Sequence, residues 1–293
     1  MSIIKAVIAA AGRGTRFLPV VKSYPKELVP ILSKPNIQYL IEEAIGAGIK
    51  DIAIIIRIGE TRIQNYFSPD PDLEKYLTDN NKLQYLDSLK KIQDSAKITF
   101  IEQPLNLPYG TGSPLLAAKK FVGSDPFIYM YGDDLTIEPK PGAFLSKMIN
   151  TFDQYQPDEI IAVKDVGKNE IARYGSAQYI DDPKYPHRLS AMLEKLPADQ
   201  APSTFAQGGR FIVTHKIFLL LENQSLSKDN ELWFSDASNT LAKNGVVLTQ
   251  AFEGEEDWMT TGDPLRWLKA NIVLALQNPD YQSDLNKYLK SIL

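Results

Sequence analysis

The chain has 293 residues, 44% of them hydrophobic and 23% charged, with a net charge of -4 and no cysteine. That length allows one large or two small domains with a substantial core, and the composition excludes a disordered, collagenous or coiled-coil chain. Disulfides, thiol catalysis and cysteine-held metal are excluded, as is a broad nucleic-acid surface, although a few local cations around a small phosphate ligand remain allowed.

In chain order, "IIKAVIAA" (3–10), "DIAIIIRI" (51–58), "KITFIEQ" (97–103) and "PFIYMYGDD" (126–134) are short β-branched or aromatic runs that predict buried strands. Between them "KPNIQYLIEEAIGAGI", "TRIQNYF" and "GSPLLAAKKFV" show helical spacing, the first with Gly48 near its end. Strands alternating with helices imply a parallel sheet covered on both faces. Residues 68–95 read as a polar helical insertion. "PGAFLSKMINTFDQY" predicts a helix, and "DEIIAVKDV", "RYGSAQYID", "RLSAMLEKL" and "FAQGGRFIVT" predict strands of a second sheet portion. "HKIFLLLENQS" and "NELWFSDASNTLAKNG" return to helix, "VVLTQAFEG" to strand, and the tail from Pro264 to two helices. With no repeat or linker, the expectation is one α/β domain over 1–293: a nucleotide-binding half (1–135), a sugar-phosphate half (136–262) and a helical extension (263–293). The start "MSIIKAVIAAAG" is too short and glycine-broken for a signal helix, and no stretch reaches the ~18 apolar residues of a membrane span. A cytoplasmic protein is expected, without membrane or nucleic-acid partners.

Ligands of such sheets bind at the carboxyl ends of the strands, where the loops at 11–16, 103–112 and 132–134 would share one edge. The first, Ala11-Gly12-Arg13-Gly14-Thr15-Arg16, offers main-chain N–H groups to phosphates, because glycine permits close approach and positive φ. Arg16 and Lys26 add positive charge for phosphate oxygens. Neither Walker A nor G-x-G-x-x-G is present, since no Gly-Lys-Ser/Thr follows and position 17 is Phe. The histidines, His187 and His215, sit in dissimilar contexts and suggest no catalytic dyad, and Trp233, Trp258 and Trp267 read as packing.

The longer run "AAGRGTRFLPVVKSYPKELVPILSKPNIQYLIEEAIGAGI" resembles the signature of the sugar-1-phosphate nucleotidylyltransferases, in which G-x-G-T-R-x-x-P and P-K-x-x-x-P surround a triphosphate. The Pro-Lys-Glu form at 25–27 and the segment after it are similar to the bacterial UTP:glucose-1-phosphate uridylyltransferases. The resemblance implies a Rossmann-like, mostly parallel mixed sheet flanked by helices, with C-terminal helices. It also implies a reaction of UTP with glucose 1-phosphate that gives UDP-glucose and pyrophosphate with Mg²⁺, in a homo-oligomer (dimer or tetramer). Residue by residue, it places Ala10, Ala11, Gly12, Gly14, Thr15, Arg16, Lys26, Gln103 and Gly110 at the nucleotide, and Gly175, Glu194 and Lys195 at the sugar phosphate. Arg16, Lys26 and Asp133 become the catalytic set, with Asp133 the metal ligand and Asp134 structural. "GGRFIVT" and "NELWFSDA" are given scaffold roles.

One position departs from the family. Its second metal-binding Asp lies in a segment like Trp-x-Asp-x-Gly, and the match in "DWMTTGDP" is Thr260, whose neutral hydroxyl is a poorer Mg²⁺ ligand than a carboxylate. Asp257 or Asp263 takes over, or Asp133 and phosphates hold the ion alone, or activity is reduced. Two other functions therefore stand beside the first: a catalytically weak regulatory or binding homologue, and the same reaction with another nucleoside triphosphate or sugar 1-phosphate.

Overall fold

The structure, a computed structural model, describes residues 3–86, 92, 95–227 and 230–292. In chain order it runs β1 (Lys5–Ala10), the hairpin β2 (Pro30–Ile31) and β3 (Lys34–Pro35), α1 (Asn36–Gly46), β4 (Asp51–Arg57), α2 (Arg62–Phe67), α3 (Pro71–Asp79), β5 (Lys97–Gln103) and α4 (Ser113–Val122). There follow β6 (Phe127–Tyr131), β7 (Asp134–Ile137), α5 (Ala143–Tyr155), β8 (Glu159–Asp165), β9 (Gly175–Tyr179), β10 (Leu189–Glu194) and β11 (Phe205–Val213). The chain closes with α6 (Lys216–Asn223), α7 (Phe234–Asn244), β12 (Val247–Ala251), β13 (Asp257–Thr260), α8 (Pro264–Gln277) and α9 (Pro279–Ile292).

A nine-stranded sheet has the path β10-β9-β11-β6-β1-β4-β5, with β8 beside β11 and β12 beside β8. Only β10 and β11 run against the other strands, as their antiparallel partners show, so the sheet is mixed and mostly parallel. The strands expected of a second sheet portion thus join the first through β11, which pairs antiparallel with β6.

Successive side chains of a strand point to opposite faces, and the core divides accordingly. Ala6, Ile8, Ala10, Ile52, Ile54 and Ile56 pack under α1 and α5, whereas Val7, Ala53 and Ile55 pack under α4, α6 and α7. Burial on both faces is why β1 and β4 read as continuous apolar runs. In α1, Ile37, Leu40, Ile41 and Ala44 form the buried stripe of a 3.6-residue period. Gly48 follows the helix at φ 88°, the left-handed conformation that suits a helix C-terminus. A third, smaller cluster of Ile31, Leu135, Ile137 and Ala270 seats α8 against β2 and β7.

Three expectations shift in detail. The run 126–134 holds β6 and only the first residue of β7, the two strands being separated by a turn at Gly132 and Asp133; a Cβ at position 132 would overlap the Ala9 carbonyl of the adjacent β1. The helix expected over 230–245 begins only at Phe234, the residues before it being engaged with the 109–112 loop. In the polar insertion, α3 is capped by the Asp70 side chain accepting from Leu73 N at 3.0 Å; residues 87–91, 93 and 94 of that segment lie outside the described residues. Among the described residues no helix is long and apolar enough to cross a membrane.

Glu159, at the start of β8, is fully buried; one oxygen accepts from Ser238 Oγ at 2.9 Å and the other has no partner. Burial pushes its carboxyl up to about 8, with a smaller contribution from Asp158. A carboxyl raised on folding loses stability as pH climbs from its unfolded value, 4.5, to its folded one. With roughly 1.4 kcal/mol for each tenfold change in proton affinity, ionised Glu159 costs the fold on the order of a few kcal/mol above pH 8. Glu159→Gln should therefore raise Tm by several degrees at pH 9 and change it little at pH 4.5; an equal shift at both values would refute this account.

Candidate active site

The three loops expected at one sheet edge do meet there. In register, Ala10 lies beside Ile56 and Ala9 beside Tyr131, so the glycine loop after β1 and the turn after β6 open at one level, with the 103–112 loop following β5. A cleft of about 510 Å³ sits over that edge. Its lining includes Ala11, Gly12, Arg16, Lys26, Gln103, Gly110, Asp133, Gly175, Glu194 and Lys195 from the sequence-based set. Ala10, Gly14 and Thr15 do not line it. Ala10 is the buried end of β1, Gly14 turns at φ 61° beneath the Lys26 stem, and Thr15 is exposed at the start of a 3₁₀ turn (Thr15–Phe17).

At the floor of the cleft, Lys26 Nζ meets Asp133 Oδ2 at 2.8 Å and lies 3.9 Å from Glu27 Oε1. Burial alone would lower the Lys26 ammonium, but the Asp133 carboxylate, then Glu27, outweighs it and holds Lys26 charged. Burial would likewise raise Asp133; the cation beside it, aided by Arg16, keeps it below the usual carboxylate range. Main-chain bonds fix this turn. Asn36 Nδ2 donates to Gly132 O at 2.7 Å, and Thr261 N and Oγ1 donate to Asp133 O at 2.6 and 2.9 Å.

Asp134 also lines the cleft but is only 4% exposed, its carboxyl in the space a side chain at Gly209 would need. Burial, and then the charge of Asp133, pushes its carboxyl up to about 7, against the pull of Arg210 and the Thr260 hydroxyl. β13 pairs antiparallel with β7, Thr260 opposite Asp134 and Asp257 opposite Ile137. Thr260 thus lines the cleft, whereas Asp257 is paired with Lys164 and Asp263 caps α8, accepting from Arg266 N at 3.0 Å and pairing with its guanidinium at 3.4 Å. Neither aspartate lines the cleft. Among the described residues no three or more His, Cys, Asp and Glu side chains gather as a metal site. Asp133, kept ionised beside Lys26, offers a carboxylate that suits a hard cation taking most of its oxygens from phosphates and water.

The facing wall is built by β9 and β10. Gly175 pairs with Glu194, and a Cβ on Gly175 would sit 3.1 Å from Glu194 Oε1. Burial pushes the Glu194 carboxyl up, against the Lys195 charge and a bond from Ser235. Asn239 of α7 clamps Met192 from both sides at 2.7 and 2.9 Å, setting the position of β10.

Residues that sequence reasoning left out also line the cleft: Arg173, Tyr174, Glu231, Trp233 and Arg266. Trp233 Nε1 donates to Glu231 Oε2 at 2.9 Å, so part of the segment given a scaffold role faces the cleft. Arg266 lies over the Tyr174 ring at 5.4 Å. A signal for it was available, because Asp-Pro at 263–264 marks a helix start and places Arg266 in the first turn, just after Gly262.

Gly110 has a second reason to be glycine. It adopts φ 129°, and a Cβ there would overlap the Leu232 main chain, where Leu232 N donates to Tyr109 O at 2.7 Å and Gly112 N to Leu232 O at 2.8 Å. Gly110→Ala is expected to cost about 1–3 kcal/mol in backbone strain alone and to part the two loops. A lowered Tm would be seen; an unchanged melt would rule out the close approach.

A family model described as Nucleotidyl transferase matches residues 5–275. The UTP--glucose-1-phosphate uridylyltransferase of Bacillus subtilis (strain 168) is 34% identical over 291 residues, covering 99% of this chain and 97% of that protein. The UTP-bound UGPase from Acinetobacter baumannii superposes with a TM-score of 0.88 at 30% identity over 100% of both chains. A UDP-glucose pyrophosphorylase complexed with UDP-glucose does so with a TM-score of 0.83 at 30% identity, over 94% of this chain and 100% of that one. By sequence over its whole length and by fold, the chain belongs to the nucleotidyl transferase family.

Proposed function

We propose that this chain joins UTP and glucose 1-phosphate to give UDP-glucose and pyrophosphate. The observation that carries the proposal is the Lys26–Asp133 pair at 2.8 Å, set between the glycine loop and the Gly175–Glu194–Lys195 wall. Support also comes from the names borne by full-length relatives.

In this reaction an oxygen of glucose 1-phosphate attacks the α-phosphorus of UTP. The bond from that phosphorus to the bridging oxygen breaks, and pyrophosphate leaves with the electron pair. The attacking phosphate is already anionic and needs no general base; the difficulty is to bring two anions together and to spread charge in the transition state. Lys26 meets the triphosphate, Arg16 the departing pyrophosphate, and Lys195 the sugar phosphate, with Glu194 and Gly175 against the sugar. Ala11 and Gly12 line the phosphate path, and Gln103 and Gly110 the base end. Asp133, kept ionised by Lys26, would hold Mg²⁺ together with phosphate oxygens, and the ion would supply charge neutralisation there. Self-association as a dimer or tetramer and a cytoplasmic location belong to the same proposal; α9 has no buried residue and exposes Tyr281, Tyr288 and Ile292, and light scattering would read the assembly.

The test is a matrix of nucleoside triphosphates against sugar 1-phosphates, with and without Mg²⁺, read by pyrophosphate release. Turnover should be greatest with UTP, glucose 1-phosphate and Mg²⁺. UTP binding with no turnover in any combination would favour a regulatory homologue, the reading that Thr260 motivates. Thr260→Asp, which restores a carboxylate opposite Asp134, should lower the Mg²⁺ concentration needed for half-maximal rate. An unchanged Mg²⁺ requirement would mean that position 260 does not reach the ion.

A further inference from the structure

A second pocket of about 420 Å³ opens on the same sheet edge, over the ends of β4 and β5 rather than β1 and β6. It lies outside the reaction cleft and shares with it only Ala11, Gln103 and Tyr109. Its charged lining is Arg13, Lys22, Arg57 and Arg62 against the single carboxylate of Glu60, in a chain whose net charge is -4. Glu60 is already committed. It takes Arg62 Nε at 2.8 Å and lies 3.2 Å from Arg57 Nη2, while Arg62 Nη1 donates to Ser23 O at 2.5 Å. Arg13 and Lys22 enter no such pair among the described residues, so two cations facing the pocket lack a counter-charge.

Much of the remaining lining is apolar, above all the run Pro104, Leu105, Leu107, Pro108 and Tyr109. Leu105 is 86% exposed and Tyr109 59%, so the loop presents large apolar groups largely open to solvent. Phosphates would be held at one end and a flat apolar group at the other. We propose that this pocket binds a second nucleoside polyphosphate, outside the reaction cleft. Gln103 couples the two sites. It lines both, and its Oε1 is buried with no hydrogen-bond partner. A ligand against the 104–109 loop therefore bears on the residues that meet the reacting nucleotide.

Binding is measured by calorimetry on protein saturated with UDP-glucose, where UTP has no co-substrate and is not consumed. A preliminary UDP-glucose titration separates the two readings: failure of UDP-glucose to bind counts against the reaction proposed above, and the second site is then read from UTP stoichiometry on the unsaturated protein. UTP and ATP should each bind the saturated protein at one further site, more tightly than inorganic tripolyphosphate. Lys22→Glu and Leu105→Asp, both exposed and distant from the core, should each weaken that binding by about tenfold or more, the scale of one lost charge-assisted or apolar contact. No further site, or binding equal in wild type and both variants, overturns the proposal. Tripolyphosphate binding as tight as UTP overturns the nucleotide assignment.

Discussion

Lys26→Met is expected to lower kcat/KM for UTP by about 10²–10³-fold, the cost of removing one preorganised charge from a phosphoryl-transfer site. Its effect exceeds that of an exposed contact because Lys26 is nearly enclosed and faces two carboxylates, Asp133 at 2.8 Å and Glu27 at 3.9 Å. Methionine keeps the apolar stem over Gly14, whose Cβ position would lie 3.1–3.2 Å from the Lys26 methylenes, so the loop is preserved while the charge is lost. Pyrophosphate release measured beside a thermal melt decides the matter. A variant that melts near wild type yet retains more than a tenth of the activity would remove Lys26 from the triphosphate.

The second large effect is on stability. Arg210 is fully buried in β11 and grips Glu43 of α1 with two hydrogen bonds, Nε to Oε1 at 2.9 Å and Nη2 to Oε2 at 2.8 Å. It donates further to the carbonyls of Gly209 at 3.1 Å and Asp134 at 3.0 Å. Arg210→Met leaves the Glu43 carboxylate buried without its cation and should cost about 3–5 kcal/mol. Joining it to Glu43→Met removes both charges and should recover most of that loss, since an apolar pair of similar volume avoids desolvating two ions. Denaturant melts of the two single variants and the double variant form the cycle. If the double variant is no more stable than Arg210→Met alone, the loss does not come from an unpaired Glu43 carboxylate.

Much of the fold was legible because its signals are local. The β-branched runs that became β1, β4 and β6 are buried on both faces, which leaves them no polar alternation to hide in. The i, i+3, i+4, i+7 stripe of α1 and the Asp-Pro start of α8 are equally near-neighbour patterns. The cleft was half legible. Gly12, Arg16 and Lys26 lie close together in sequence, and Asp133 was marked by its place at a strand end. Trp233 and Glu231 were missed because their position depends on a pairing distant in sequence, Leu232 against Tyr109; Arg266 had a local helix-start signal, but its place in the cleft follows only from β13 against β7. The same limit hid the partner of Arg210, 167 positions away. Thr260 left three alternatives in the sequence, and geometry weighs against the first: Asp257 and Asp263 already serve Lys164 and the α8 N-terminus. Gly110 was expected at the base from the family resemblance, and a steric requirement from Leu232 was invisible until the loops met.

The pairing of β13 with β7 sets an order of events during synthesis. The glycine loop, Lys26 and Asp133 have all been synthesised by the time Asp134 is added, but Thr260 and Arg266 follow only after a long intervening stretch. At 5–20 residues per second, roughly 6–25 s separate Asp134 from Thr260 on a ribosome. For that interval the chain lacks the strand and helix that complete the cleft. The complete enclosure therefore forms late, when the final strand closes on β7.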